Sequence, residues 1–352
     1  MKDFVETGKE QKIDFVALYE KHKRKGAITT LMSLFAMGMS GCSEGPMPVS
    51  IAKTTGVALD GPLSNATVFY DLNGNSILDA NETSVTTGSD GSYEIAPSST
   101  GNLTVVTTDA TTDASSGATV GAGLTFTAPN GSSIISPATT VVTDLISSGL
   151  TAAQAQQEAL EALGLDSVTL GTTENIDLLT FNPFVSTDDD AAAPYAAVAV
   201  QIVAIVNTAA EAASAAGADK GDAVAKALES LTDQIIAAAD TDNATTAIDL
   251  TSTSVIETVI DATTAGDSAV QTAVNLVKSD ISAAVSKVNT AVSEITTSTG
   301  NADLFYLSQS VLADSAASSV AAGVTGGILT LIGAAANATA INTIATSAIK
   351  VS

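Results

Sequence analysis

Ile135–Gly149 reads ISPATTVVTDLISSG, and the apolar period of the chain changes within it. Upstream, from Val49 to Ser136, short runs rich in β-formers (TTGVALDG, ATVFYD, NLTVVTT, LTFTAP, SSIIS) are separated by Gly, Asn, Asp and Ser. Runs of this length and spacing predict antiparallel strands packed as a sandwich. At Ser136-Pro137 a capping serine precedes a proline suited to the first helical turn, and Gly149 supplies the stop. Beyond that point the period is about 3.6. The fold class expected is therefore α+β multidomain, an N-terminal antiparallel β-sandwich over 49–136 followed by an all-α helical bundle over 137–352.

The helical half carries its own punctuation. Thr151 and Gln154 stand in capping-box spacing, and Gly164 ends the helix they begin. Val224, Leu228, Leu231 and Ile235 form one apolar stripe. Val270, Val274, Val277, Ile281, Ala284, Val288 and Ile295 form a longer one, which predicts a single helix of about 30 residues. Such stripes read as bundle core. Acidic runs at Asp188–Asp190 and Asp240–Asn243 are read as a helix cap and an inter-helix loop. The tail from Val320 to Ile349, with Gly323 and Gly327 in helix-packing spacing, is read as a buried helical pair.

Charge narrows the function classes. The 352 residues carry a formal net charge of -25. Seven of the 13 basic residues precede the single cysteine, Cys42; from Cys42 onward 6 basic residues face 33 acidic ones, 38 less the five upstream. No Lys or Arg occurs between Lys53 and Lys220. Such a chain repels phosphate backbones, so nucleic acid is excluded as a partner. An excess of carboxylate favours a medium rich in cations.

Residues 21–43, KHKRKGAITTLMSLFAMGMSGCS, place a basic cluster before an apolar run from Ala27 to Met39. That run has the length of a signal-peptide core and falls short of a membrane-spanning helix. Ser40-Gly41-Cys42 then resembles the lipobox of bacterial lipoproteins, with Met39 in place of the usual Leu. The resemblance implies acylation of Cys42 after removal of a signal peptide with a long basic region over 1–41, leaving a linker over 42–48. The protein would then reside in the cell envelope, lipid-anchored at the outer membrane or cell surface.

The mature chain would lack the residues most catalysis requires. The only His, His22, lies in the segment to be removed, and from Cys42 onward there is no His, Arg or Trp. Serine and cysteine triads, His- or Cys-ligated zinc and arginine clamps are thereby removed. What survives is a pair of carboxylates of the glycosidase kind. With only 8 Phe and 5 Tyr in the chain, a sugar-stacking cleft is poorly supplied, and a non-enzyme is expected.

One motif carries ligand chemistry. Asp71–Glu82 reads DLNGNSILDANE. The calcium-loop pattern D-x-[DN]-x-[DN]-G-x5-E places oxygen donors at positions 1, 3, 5, 7, 9 and 12. Those positions are Asp71, Asn73, Asn75, the Ile77 carbonyl, Asp79 and Glu82. A loop curling round one ion presents every second residue inward. Ser76 stands where the pattern has glycine, with Gly74 nearby, and Leu78 fits the position that ties such loops to a core. Three carboxylates and two amides predict weak binding of Ca2+, about 0.1–1 mM. The alternative is a loop of Asx-turns without metal.

The wider pattern from Gly56 to Ile95, GxxxDGPLxxATVFYDLNGNxxLDxxExxxxTxxDGSYEI, contains Asp90-Gly91 as a two-residue hairpin turn. It resembles the prealbumin-like or Cna-B-like β-modules of bacterial surface adhesins, and the helical segment after it is similar to one that accompanies such modules in secreted proteins. The resemblance implies a non-enzymatic adhesive or structural role, with the membrane as partner through the lipid and a protein or polysaccharide at the exposed surface. A second reading is a lipoprotein that binds a ligand or polysaccharide in the helical half. A third is a carboxylate-only glycoside hydrolase.

Overall fold

The computed structural model describes residues 52–186, 189–239, 247–323 and 341. The chain divides into two compact units, Met1–Ser50 and Ile51–Ser352, and every described residue belongs to the second. The expected signal segment and Cys42, Asp188, Asp240–Asn243 and most of the tail beyond Val320 lie outside the described residues.

The β-rich part holds β1 (Thr54–Ala58), β2 (Leu63–Ser64), β3 (Thr67–Asp71), β4 (Ser84–Thr86), β5 (Ser92–Ile95), β6 (Asn102–Val106), β7 (Thr112–Asp113), β8 (Thr125–Ala128) and β9 (Ile134–Ile135). They form sheets ordered β4-β3-β6-β8, β5-β1-β9 and β2-β7. Pairing is antiparallel except that β9 runs parallel to β1, with Val57 opposite Ile134. Alternation decides which side chains are buried: Tyr93 and Ile95 on β5, Phe126 and Ala128 on β8. β3 is buried from Val68 through Asp71, as expected of a strand flanked on both edges.

The Asp90-Gly91 turn forms, but it does not make the expected hairpin. β4 and β5 belong to different sheets. Gly91 takes a left-handed φ of 73°, and a Cβ there would lie 2.7 Å from the Ala58 carbonyl and 2.9 Å from the Leu63 amide. The turn is thus wedged between β1 and β2, and the Ala58 N–H donates to Gly91 O at 2.9 Å. That wedge draws β5 onto β1 instead of onto β4.

The chain turns helical at the expected place. Helix α1 spans Pro137–Ser147 with Ser136 and Thr139 forming a reciprocal capping box, and α2 spans Ala152–Ala162 with the same device from Thr151 and Gln154. α1 also covers the free edge of β8: Thr140 Oγ1 accepts the Thr127 N–H at 3.0 Å, and Thr139 Oγ1 donates to Thr127 O at 2.8 Å. Two threonines thereby occupy edge groups that would otherwise invite another strand. There follow α3 (Ser167–Leu170), α4 (Asp189–Ala215), α5 (Lys220–Ala239), α6 (Thr253–Thr264), α7 (Ser268–Asn275), α8 (Lys278–Ser293), α9 (Ala302–Tyr306), a π-helical turn (Leu307–Val311) and α10 (Leu312–Ala322).

α4 is the helix round which the others gather; α5, α6, α8 and α10 all pack on it. Asp190–Ala215 is long and apolar enough to cross a membrane, with a mean hydropathy of 1.6, and its most apolar stretch is 94% buried in the protein. Ala, Val and Ile on every side, without an exposed face, are what a fully enclosed helix requires. One apolar core continues from Val68 and Phe126 through Val142 into Val203, Val259 and Val288. The change of secondary structure at Ser136 therefore falls inside one packed unit.

The expected 30-residue helix is broken. Val277, at φ -123° and ψ 0°, leaves helical geometry between α7 and α8. Its N–H goes to Val274 O, three residues back, so the i to i−4 ladder stops there. The break keeps Val270, Val274, Val277 and Ile281 all buried while Leu276 turns outward, 58% exposed. A straight helix drifts away from a stripe spaced closer to 3.5. Here the drift is absorbed by a kink.

Candidate functional site

The loop that the sequence singles out runs between β3 and β4: Asp71 is the last residue of β3, and β4 begins at Ser84. Hydrogen bonds within the loop involve each of its six named positions. Asp71, 4% exposed, anchors the entry. Its Oδ1 accepts the N–H of Gly74 at 2.7 Å and of Asn75 at 3.3 Å, and its Oδ2 accepts that of Ser76 at 2.7 Å. Asn73 Oδ1 accepts the Asn75 N–H at 3.1 Å, and Asn75 Oδ1 accepts the Ile77 N–H at 2.8 Å. The two Nδ2 groups converge on one atom, Asp79 Oδ2, at 2.8 and 3.2 Å. Glu82 closes the exit, accepting the Leu72 N–H on Oε1 at 2.7 Å and the Asp79 N–H on Oε2 at 3.0 Å.

The sharp bend needs left-handed backbone, which Gly74 adopts at φ 76° and Ser76 at φ 58°. Glycine does so freely, whereas serine at such an angle costs roughly 1 kcal/mol. The bond from Ser76 N–H to Asp71 Oδ2 holds it there. Leu78 does not tie the loop to the core: it is 42% exposed, as are Leu72 at 44% and Ile77 at 64%. The loop stands away from the apolar interior and is held by its carboxylates instead.

In kind, these groups suit Ca2+: hard oxygens from three carboxylates, two amides and a backbone carbonyl. Each amide oxygen accepts one N–H and keeps a second lone pair, and turning an amide exchanges its nitrogen for its oxygen at the point where both meet Asp79. Among the described residues no three of His, Cys, Asp or Glu gather as a metal cluster; the loop's donors are in part amides. The same bonds also satisfy the Asx-turn alternative, since most run from backbone N–H to Asn or Asp.

A second polar cluster gave no local signal. Asp60 and Asp113 are both 0% exposed, and Gln309 of the π-helical turn reaches them from the far end of the chain. Gln309 Nε2 donates to Asp60 Oδ2 at 3.2 Å. Ser116 Oγ contacts Gln309 Oε1 at 2.8 Å and Asp113 Oδ2 at 3.1 Å, and the Ser115 N–H and Oγ both donate to Asp113 Oδ1 at 2.7 Å. Asp60 Oδ1 has no hydrogen-bond partner among the described residues. Burial above all, then the charge of Asp113, pushes the Asp60 carboxyl well above the usual carboxylate range, against the lowering effect of Gln309. In the sequence these aspartates sit in turn-like text (ALDGP, TTDASSG), and nothing links positions 60, 113 and 309.

No protein-family model, curated protein or solved structure matches the chain.

Proposed function

We propose that the protein is a lipid-anchored component of a bacterial cell envelope, acylated at Cys42, with a non-enzymatic adhesive or structural role. In this reading the β-rich part is a sandwich of the prealbumin-like or Cna-B-like kind, stiffened by Ca2+, and the helical part is a bundle that presents its surface to a protein or polysaccharide. Asp71, Asn73, Asn75, Asp79 and Glu82, with the Ile77 carbonyl, would hold the ion. Calcium would supply a fixed divalent charge where Asp71, Asp79 and Glu82 otherwise repel one another. The observation that carries the reading is the convergence of Asn73 and Asn75 on Asp79, between Asp71 at the entry and Glu82 at the exit. The lipobox-like SGC at 40–42 and the surplus of carboxylate beyond it support the envelope address.

The address is tested by intact mass and N-terminal analysis of the cell-associated protein. The expected species begins at Cys42 and carries the added mass of acyl chains. A soluble chain that keeps residues 1–41 and an unmodified thiol would overturn the anchor.

A further inference from the structure

A cleft of about 550 Å3 lies beside the loop tip, between β8 and α1 on one side and α5 on the other. That volume is in the range of small-molecule sites and far beyond what a bare metal ion occupies. Ile77 at the tip and Val224 and Leu228 of α5 give it apolar walls, and Asp144 of α1 and Glu229 of α5 line it, with no Lys or Arg among the described lining residues.

Two of its polar groups matter most for a ligand. The half-buried Asp144 carboxylate receives no hydrogen bond from the described residues. Thr232, 5% exposed as a residue, also lines the cleft. An unneutralised carboxylate in a concave, partly apolar space concentrates negative potential. That potential is relieved by an occupant that brings positive charge on an apolar body, and the Thr232 hydroxyl offers an N–H donor a second acceptor.

We propose that this cleft is a binding site for a small organic ammonium ion, a primary amine with an apolar body, with Asp144 as counter-charge and the Thr232 hydroxyl as a second acceptor. The acidic character excludes carboxylate and phosphate ligands. The apolar walls favour an alkyl body over a hydrated metal ion, and the hydroxyl favours N–H donors over a quaternary ammonium. Burial, and secondarily the charge of Asp233, pushes the Asp144 carboxyl up to about 6; Asp233 and Glu229 on α5 are the charged side chains on that flank. The counter-charge is therefore present at neutral pH and lost below it. Asn75 and Ile77 of the loop also line the cleft, so the test is made in calcium-free buffer, where its outcome is separate from that of the calcium reading.

The test is ligand-observed NMR with calorimetric titration of the full chain, using hexylammonium, hexyltrimethylammonium and hexanoate at matched ionic strength. Hexylammonium is expected to bind saturably and more tightly than the quaternary ion, and hexanoate not at all. Its affinity should fall as the pH is lowered through about 6, where the amine itself stays charged. Asp144→Asn, which keeps the shape and removes the repulsion from Asp233, should weaken hexylammonium by on the order of tenfold, about one charge-assisted hydrogen bond. Thr232→Val should weaken hexylammonium while leaving hexyltrimethylammonium unchanged. Absence of saturable hexylammonium binding, equal binding of hexanoate, or an affinity indifferent both to pH and to Asp144→Asn would overturn the proposal.

Discussion

Gly61→Ala is expected to destabilise the fold strongly. A Cβ at Gly61 would run into Asp113 Oδ1 and Ser115 Oγ, well inside contact distance. A carboxylate can often swing aside, but Asp113 is 0% exposed and held by three donors from Ser115 and Ser116. Moving it would break those bonds and disturb Ser116, which also contacts Gln309. Overpacking alone costs roughly 1–3 kcal/mol, and disrupting a buried, hydrogen-bonded charge costs about 3–5. A loss of about 3 kcal/mol or more is expected, or roughly 6–12 °C at about 2–4 °C per kcal/mol. Gly88→Ala serves as the control, because its Cβ would meet only the exposed ends of Ser92 and Asp90 at 3.1 and 3.2 Å. Urea unfolding of the two variants checks this; equal stabilities would show that Asp113 is not fixed as described.

Asp60→Asn is expected to make the protein more stable at pH 8 than the parent, and no more stable at pH 4. Burial and Asp113 raise the Asp60 carboxyl in the folded state, whereas in the unfolded chain it titrates near 3.9. Below that value both states hold the proton, and Asp60 brings no penalty. As the pH rises above it, the unfolded chain releases the proton while the folded one retains it. Stability then declines by about 1.4 kcal/mol per pH unit until the folded-state pKa is passed. Asparagine keeps an oxygen for the Gln309 N–H and has nothing to ionise. Other groups raised by burial, such as Asp144 and Asp314, are common to both proteins and cancel in the difference. A gain of the same size at pH 4 and pH 8, or a variant weaker at pH 8, would remove Asp60 as the source of the pH dependence.

These two positions mark where the sequence is silent. Local chemistry was legible wherever one short stretch decides it. Ser136-Pro137 and Thr151–Gln154 cap helices as their spacing implies, because a cap depends on residues three apart. That Asp71–Glu82 forms a polar loop between two strands was legible for the same reason, whereas Ser76 adopts the left-handed bend although the pattern asks for glycine there. The loop's relation to the core was not legible: Leu78 is exposed because the loop is held by Asp71 and Glu82 instead of by an apolar anchor. Pairing between distant strands escaped as well. Nothing near Asp90-Gly91 discloses that Ala58 and Leu63 wedge the turn, or that β9 returns parallel to β1. The apolar stripe from Val270 to Ile295 was correct as a list of inward residues and wrong as one rod, since periodicity is unchanged by a kink that keeps the same residues inside. The Asp60–Asp113–Gln309 cluster and the cleft at Asp144 are assembled from positions scattered along the chain and have no local signature.

The central claim is that the β3–β4 loop holds calcium, and the most direct measurement is the melting temperature of the full chain as Ca2+ is raised to about 10 mM. For a site of about 0.1–1 mM affinity, linkage gives about 1.4–2.7 kcal/mol at that concentration. The account predicts a rise of several degrees, on the order of 2–4 °C per kcal/mol, that is absent in Asp71→Ala. A parent curve that does not move with calcium, or an equal rise in Asp71→Ala, would contradict it.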